Sequence, residues 1–139
     1  MVTGTDILNA KILIVDDIQA NVRLFELILE GAGYVHVTST QDPCVVSTLH
    51  RANHYDLILL DLRMPVMDGF QVMESLKKIE GDGYLSVLAV TAQPALKLRA
   101  LQSGARDFIS KPFIFAEVLL RVHNLVEEHL NESRNTRTN

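Results

Sequence analysis

Four short apolar runs in the chain each end in a polar residue suited to handling phosphoryl groups. Lys11-Ile-Leu-Ile-Val15 runs into Asp16 and Asp17, and Leu57-Ile-Leu-Leu60 runs into Asp61. Val87-Leu-Ala-Val90 runs into Thr91, and Phe108-Ile109-Ser110 runs into Lys111 and Pro112. Val/Ile/Leu-rich runs of this length between helical segments read as buried parallel strands. The carboxyl ends of such strands open onto one crevice, where ligands of open α/β sheets bind. If all four runs belong to one sheet, three carboxylates, a hydroxyl and an ammonium converge on one edge.

Their charges do not balance. Three aspartates and one lysine leave two formal negative charges, which one divalent cation would cancel. A ligand set of oxygens, without Cys or His, favours Mg²⁺, a hard ion that keeps several waters and takes one or two carboxylates plus a phosphate. The competing reading of Asp16 or Asp17 is a cap on the following helix. Two adjacent aspartates with a third at another strand end favour the metal. Asp61 follows four apolar residues, so its burial is costly unless it is paired. A carboxylate there can attack phosphorus and form an aspartyl phosphate, while a metal and Lys111 neutralise the phosphoryl oxygens. Thr91 alone is an ordinary strand end or cap; in this company its hydroxyl can donate to a phosphoryl oxygen, with the small Ala92 leaving room. Lys111 precedes Pro112, which makes a cis bond accessible. Such a bond would aim the ammonium into the crevice. Phe108 reads equally as core and as a switching residue.

The elements that hold these residues alternate strand and helix five times, the pattern of a parallel sheet covered on both faces. Helices are expected over Ala20–Glu30, Pro43–Ala52, Phe70–Ile79, Pro94–Ser103 and Phe113 to about Leu130, and strands over Lys11–Val15, Tyr34–Thr38, Asp56–Leu62, Ser86–Thr91 and Asp107–Ser110. Gly81-Asp82-Gly83 reads as a turn. The last helix carries Phe115, Val118, Val122, Leu125 and Val126 on its apolar stripe, widened by Leu119, Leu120 and Leu130. Residues 1–10 read as an N-terminal extension, 11–130 as the domain, and the polar tail 131–139 as disordered.

Composition narrows the function. The 139 residues are 47% hydrophobic, enough for one domain with a core. No apolar run approaches the ~20 residues of a membrane span. The first ten residues lack the basic start and apolar core of a secretion signal. The single cysteine, Cys44, rules out an internal disulfide framework and fits a cytoplasmic protein. The five histidines show no ligand spacing and are expected on surfaces. A net charge of −4 offers no footprint for direct nucleic-acid binding.

Taken in order, these pieces resemble the receiver domain of bacterial two-component response regulators. The matching segments are Ile-Leu-Ile-Val-Asp16-Asp17, Asp61-Leu-Arg-Met-Pro65 followed by Met-Asp-Gly69, Val90-Thr91-Ala92, and Gly104-Ala-Arg-Asp107-Phe-Ile-Ser-Lys111-Pro112-Phe113. The resemblance covers roughly Lys11 to Leu130. It implies a flavodoxin-like, doubly wound five-stranded parallel sheet of order 2-1-3-4-5. Asp61 becomes the phosphoacceptor. Asp16 and Asp17 become the acidic Mg²⁺ pair, with the backbone carbonyl of Arg63 as a further ligand. Thr91 and Phe108 become the switch pair, and Lys111 the phosphate contact. A histidine kinase or phosphotransfer protein is the implied donor. The output is an altered affinity for a protein target or a second copy, through the face of the fourth helix, fifth strand and fifth helix. Arg63 and Gln93, each two positions beyond a site residue, are expected to tune hydrolysis.

Two features depart from the family pattern. The span from Thr91 to Lys111 is a residue or two short, around Gln93-Pro94, and Phe108 stands where many members carry Tyr. Two alternatives accompany this reading. One is a receiver module of a larger regulator with a nucleotide-signalling or kinase output, suggested by Asp17-Ile-Gln-Ala-Asn21. The other is an aspartate-nucleophile phosphatase, whose Asp-x-Asp motif after the first strand is missing.

Overall fold

The structure, a computed structural model, describes residues 1–81 and 85–138, the side chains of 134–138 excepted. Five parallel strands form one sheet in the order β2-β1-β3-β4-β5: β1 Lys11–Val15, β2 His36–Thr40, β3 Leu57–Asp61, β4 Leu85–Thr91 and β5 Ala105–Ser110. Six helices surround it: α1 Gly4–Leu8, α2 Gln19–Gly31, α3 Val46–Asn53, α4 Gly69–Glu80, α5 Lys97–Gln102 and α6 Phe115–Thr138. Short 3-10 turns lead into α3 at Pro43–Val45 and into α5 at Pro94–Leu96. The fold is the one expected. The fourth and fifth helices of the sequence reading are α5 and α6, because α1 adds one at the start.

Between their polar ends the central strands are runs of apolar residues, because both sheet faces are covered and successive side chains go to opposite faces. Ile12, Ile14, Leu57, Leu59, Leu88, Val90 and Ile109 pack with Val22, Phe25 and Leu29 of α2 and Val118, Val122 and Val126 of α6. The intervening residues Leu13, Val15, Ile58, Leu60, Val87, Ala89 and Phe108 pack with Val46 of α3, Val72, Met73 and Leu76 of α4, and Ala100 of α5. Two apolar layers therefore clamp β1, β3 and β4. That fixes the height at which each strand stops and its polar terminal residue emerges.

Several expectations need correction. The second strand begins at His36 rather than Tyr34: Tyr34 N–H donates to Leu29 O at the end of α2, and Val35 N–H donates to Leu8 O, so neither is free for the β1 ladder. Residues 1–10, read as an N-terminal extension, carry a short helix that packs on the domain. Thr3 and Asp6 form a capping box on α1, and Ile7 and Ala10 are buried in the core shared with α6. The segment after Leu130, expected to be disordered, is helical to Thr138. No Gly or Pro interrupts it, and Arg106 on β5 reaches Glu128 at 3.1 Å and Glu132 at 2.7 Å. Phe115 and Leu120 are exposed rather than part of the α6 core stripe. Of the turn expected at Gly81-Asp82-Gly83, Gly81 is described, with φ +77°, and the remainder lies outside the described residues.

His50 is also misplaced by the sequence reading. It is buried, four residues after the buried Val46 on α3. Its Nδ1 accepts from Tyr55 N–H at 3.2 Å. Its Nε2 therefore carries the proton toward the Glu80 carboxylate at the end of α4. The ring thus ties α3 to α4. Replacing it, His50→Ala, orphans the Tyr55 amide and opens a cavity. Urea denaturation should show a loss of about 2–3 kcal/mol.

Candidate functional site

At the carboxyl edge of the sheet, β1 ends in Asp16 and Asp17, β3 in Asp61, β4 in Thr91, and β5 runs into Lys111. One carboxylate oxygen from each of Asp16, Asp17 and Asp61 lies within 4.8 Å of the others. Lys111 Nζ stands 3.3 Å from Asp16 Oδ2 and 3.5 Å from Asp61 Oδ2. The Lys111–Pro112 bond is cis. Lys111 N–H donates to Thr91 O at 2.8 Å, which binds this loop to the end of β4. Thr91 is wholly buried, and its Oγ1 accepts from Gln93 N–H at 3.2 Å, leaving its own proton free to donate.

The helix-cap reading of the two adjacent aspartates does not describe what they do. The N-cap of α2 is Ile18, which makes no side-chain cap bond. Asp16 is instead consumed within the crevice, with Oδ1 accepting from Ile18 N–H at 2.9 Å and Oδ2 facing Lys111. Asp17 Oδ1 is buried and has no hydrogen-bond partner among the described residues. An orphaned carboxylate oxygen beside two more carboxylates is costly unless a cation satisfies it. The donors are all oxygen, as Mg²⁺ requires, so the acidic cluster suits that ion.

Asp61 is buried, and its Oδ1 accepts from Arg63 N–H at 3.2 Å. Its pKa is pushed up to about 6, first by burial and further by the charges of Asp16 and Asp17, against the Arg63 amide and Lys111. The chain behind it has little room. A Cβ on Gly69 would lie 2.8 Å from Asp61 O and 2.8 Å from Leu62 Cα, so only glycine fits where α4 starts. Asp68 caps that helix through a capping box with Gln71. In the loop between Asp61 and Gly69, Val66 is 93% exposed and held at φ +70°, with Met67 N–H donating to Pro65 O at 2.7 Å. A β-branched residue at positive φ is strained.

Other residues singled out in the sequence have differing surroundings. Phe108 is buried, beside Ala89 in register, on the sheet face to which alternation assigns Thr91. Ala92 and Pro112 are exposed. The sequence did not disclose the contact between Arg63 and Gln93, whose side chains meet with Arg63 Nη1 donating to Gln93 Oε1 at 2.9 Å. It also missed Arg99 of α5 lying 3.7 Å over the Phe70 ring of α4. The short Thr91–Lys111 span corresponds to an α5 of six residues.

Fold and crevice together define an α/β domain with a cation-compatible acidic site at the carboxyl edge of its sheet. Residues 12–123 match the model of the response regulator receiver domain, so the chain belongs to the receiver family of two-component systems. It is 38% identical over 120 residues to the response regulator PleD of Caulobacter vibrioides, covering 85% of this chain and 26% of PleD. It is 35% identical over 124 residues to the transcriptional regulatory protein HprR of Escherichia coli, covering 86% of this chain and 52% of HprR. The chain thus spans about a quarter to a half of these relatives. Among solved structures, the receiver domain of the sensor histidine kinase PA1611 from Pseudomonas aeruginosa superposes with a TM-score of 0.76 at 30% identity, covering 86% of this chain and 98% of that one. That domain was crystallised with magnesium coordinated in its active-site cleft. Among the described residues no helix is long and apolar enough to cross a membrane.

Two outcomes follow for the metal-free protein. Asp61 binds its proton more tightly folded, at about 6, than at the ordinary 3.8. Stability therefore falls as pH rises through that window, and the whole penalty is present at pH 7. In EDTA, Asp61→Asn should be more stable than the parent by ~1–3 kcal/mol at pH 7, and the difference should vanish near pH 4 in urea titrations. Separately, Val66→Gly should relieve the positive-φ strain and gain about 1 kcal/mol in the same assay.

Proposed function

We propose that the chain is a phosphorylation-driven switch that accepts a phosphoryl group on Asp61 from a histidine kinase or phosphotransfer protein in the cytoplasm. The reading rests above all on Lys111 Nζ standing between Asp16 and Asp61 in a crevice that still carries excess negative charge. In this reading, an Asp61 oxygen attacks the phosphorus of a phosphohistidine, the N–P bond breaks, and the imidazole leaves. Asp16, Asp17, Asp61 and the backbone carbonyl of Arg63 would hold Mg²⁺, which when bound would supply positive charge for the phosphoryl oxygens. Lys111 releases Asp61 and donates to one of those oxygens. The Thr91 hydroxyl donates to another, while its oxygen keeps the Gln93 amide.

The output follows from Thr91. Drawing its side chain toward Asp61 changes the space beside Phe108, which occupies the inward position in this conformation. Phosphorylation then favours that position over an outward one, and the face of α5, β5 and α6 changes its preference for a protein target or a second copy. Each ~1.4 kcal/mol of differential interaction shifts the two populations tenfold. No catalytic activity is ascribed beyond self-phosphorylation from a donor and loss of the phosphoryl group to water. The greater length of PleD and HprR supports a second possibility for the output, in which this chain is the receiver of a larger regulator with a nucleotide-signalling or kinase domain. The phosphatase alternative is disfavoured because Asp16-Asp17-Ile18-Gln19 lacks the Asp-x-Asp spacing that this chemistry uses after the first strand.

Incubation with acetyl phosphate and Mg²⁺ should give one acid-labile phosphate per chain, none without the metal, and none on Asp61→Asn. Undiminished labelling of that variant would reject the assignment.

A further inference from the structure

The three carboxylates of the acidic cluster are not held alike. Asp16 has both oxygens tethered, one to Ile18 N–H and one to Lys111, and Asp61 accepts from Arg63 N–H and faces Lys111. Asp17 differs: its buried Oδ1 has no hydrogen-bond partner among the described residues. The direction of that oxygen is therefore set by the backbone of Asp17. Helix capping does not fix this backbone, because Ile18 makes no side-chain cap bond. The hold comes from the end of β2. Asp16 N–H donates to Thr40 O at 3.3 Å, and one residue further on Gln41 Nε2 donates to Asp17 O at 3.1 Å. The Gln41 side chain thus carries the bonding between β1 and β2 beyond Val15 and Thr40, their last register pair. Gln41 is itself firmly placed. Asp42 N–H donates to Thr40 Oγ1 at 3.1 Å, and Asp42 Oδ1 accepts from Cys44 N–H at 2.9 Å as the cap of the 3-10 turn in which Pro43 is buried.

We infer that Gln41 is a positioning residue of the cation site, setting how tightly Mg²⁺ is held by fixing the backbone that aims Asp17; this rests on the acidic cluster being a Mg²⁺ site. Mg²⁺ demands near-ideal octahedral geometry, so slack in a ligand is costly. Groups that orient a ligand without touching the ion contribute measurably to affinity. Gln41 meets Asp17 at the carbonyl oxygen, so it adds neither a ligand nor a charge to the cluster. Its removal leaves all three carboxylates present. The Asp17 carboxylate then samples more directions, and part of the binding free energy is spent on ordering it.

Two variants separate the hydrogen bond from the bulk of the side chain. Gln41→Met keeps the size and removes the donor; Gln41→Ala removes both. The full chain is titrated with MgCl₂ by calorimetry and, separately, labelled with acetyl phosphate over a series of Mg²⁺ concentrations. Each variant should bind Mg²⁺ roughly three- to tenfold more weakly, the range of one lost hydrogen bond, and the Mg²⁺ concentration for half-maximal labelling should rise by the same factor. The labelling rate at saturating Mg²⁺ should stay within about twofold of the parent, because ion binding restores the Asp17 direction. The urea midpoint in EDTA should barely move, since Gln41 is exposed. Unchanged Mg²⁺ affinity in both variants, weakening in Gln41→Ala but not in Gln41→Met, or a lower saturating rate at unchanged affinity would overturn the role of Gln41 while leaving the Mg²⁺ site standing. A parent chain that binds no Mg²⁺ overturns both.

Discussion

Three aspartates share the edge of a buried sheet with one ammonium group, and that imbalance of charge organises the molecule. Lys111 reaches Asp16 and Asp61 but leaves a buried oxygen of Asp17 without a partner among the described residues. The apolar layers above and below β1 and β3 keep water from relieving the repulsion, which is why burial heads the causes that raise Asp61. A carboxyl poised in this way is readily neutralised by a proton or compensated by a cation. The fold stores unfavourable electrostatics at the place where a charged ligand can remove it.

The surrounding loops are built to hold that arrangement still. Gly69 lets α4 start against the backbone of Asp61, and the Asp68–Gln71 capping box fixes the helix there. Strain at Val66 lies within the same loop. On the other side, the Lys111 amide is bonded to Thr91 O, so the ammonium and the hydroxyl are placed by one backbone contact. The site is a set of strand ends joined across their loops, and its precision comes from the register of the sheet.

The readability of the sequence follows the same division. Asp16, Asp17, Asp61, Thr91 and Lys111 each end an apolar run, so their common edge could be inferred before any geometry was known, and the strand order follows the family resemblance. What escaped was the part with no period. His50 is a polar residue at a core position, and only its spacing of four from Val46 hinted at burial. The helix α1 is five residues long, with the Thr3–Asp6 spacing as its one local signal. Phe115 has the right composition for the α6 stripe but faces solvent, because the register of α6 is set by Val118 and Val122. The Arg63–Gln93 bond joins two loops through flexible side chains, which no pattern along the chain can predict.

The proportions of α5 and α6 bear on how a change at Asp61 could travel. The helix α6 is long and fastened along its length: Arg121 pairs with Asp107 at 2.7 Å, Arg106 pairs with Glu128 and Glu132, and His129 stands 3.4 Å from Asp56. By contrast, α5 has six residues, a 3-10 lead-in, one buried side chain in Ala100, and exposed Leu98 and Leu101. Its tie to the rest of the helical layer includes Arg99 over Phe70, and Phe70 directly follows Gly69 on the back of Asp61. Local stability tracks buried contact, so α5 is the element that can shift most cheaply when Thr91, just upstream of it, moves. Of the two helices flanking β5, α6 is thus the firmly held one and α5 the loosely held one.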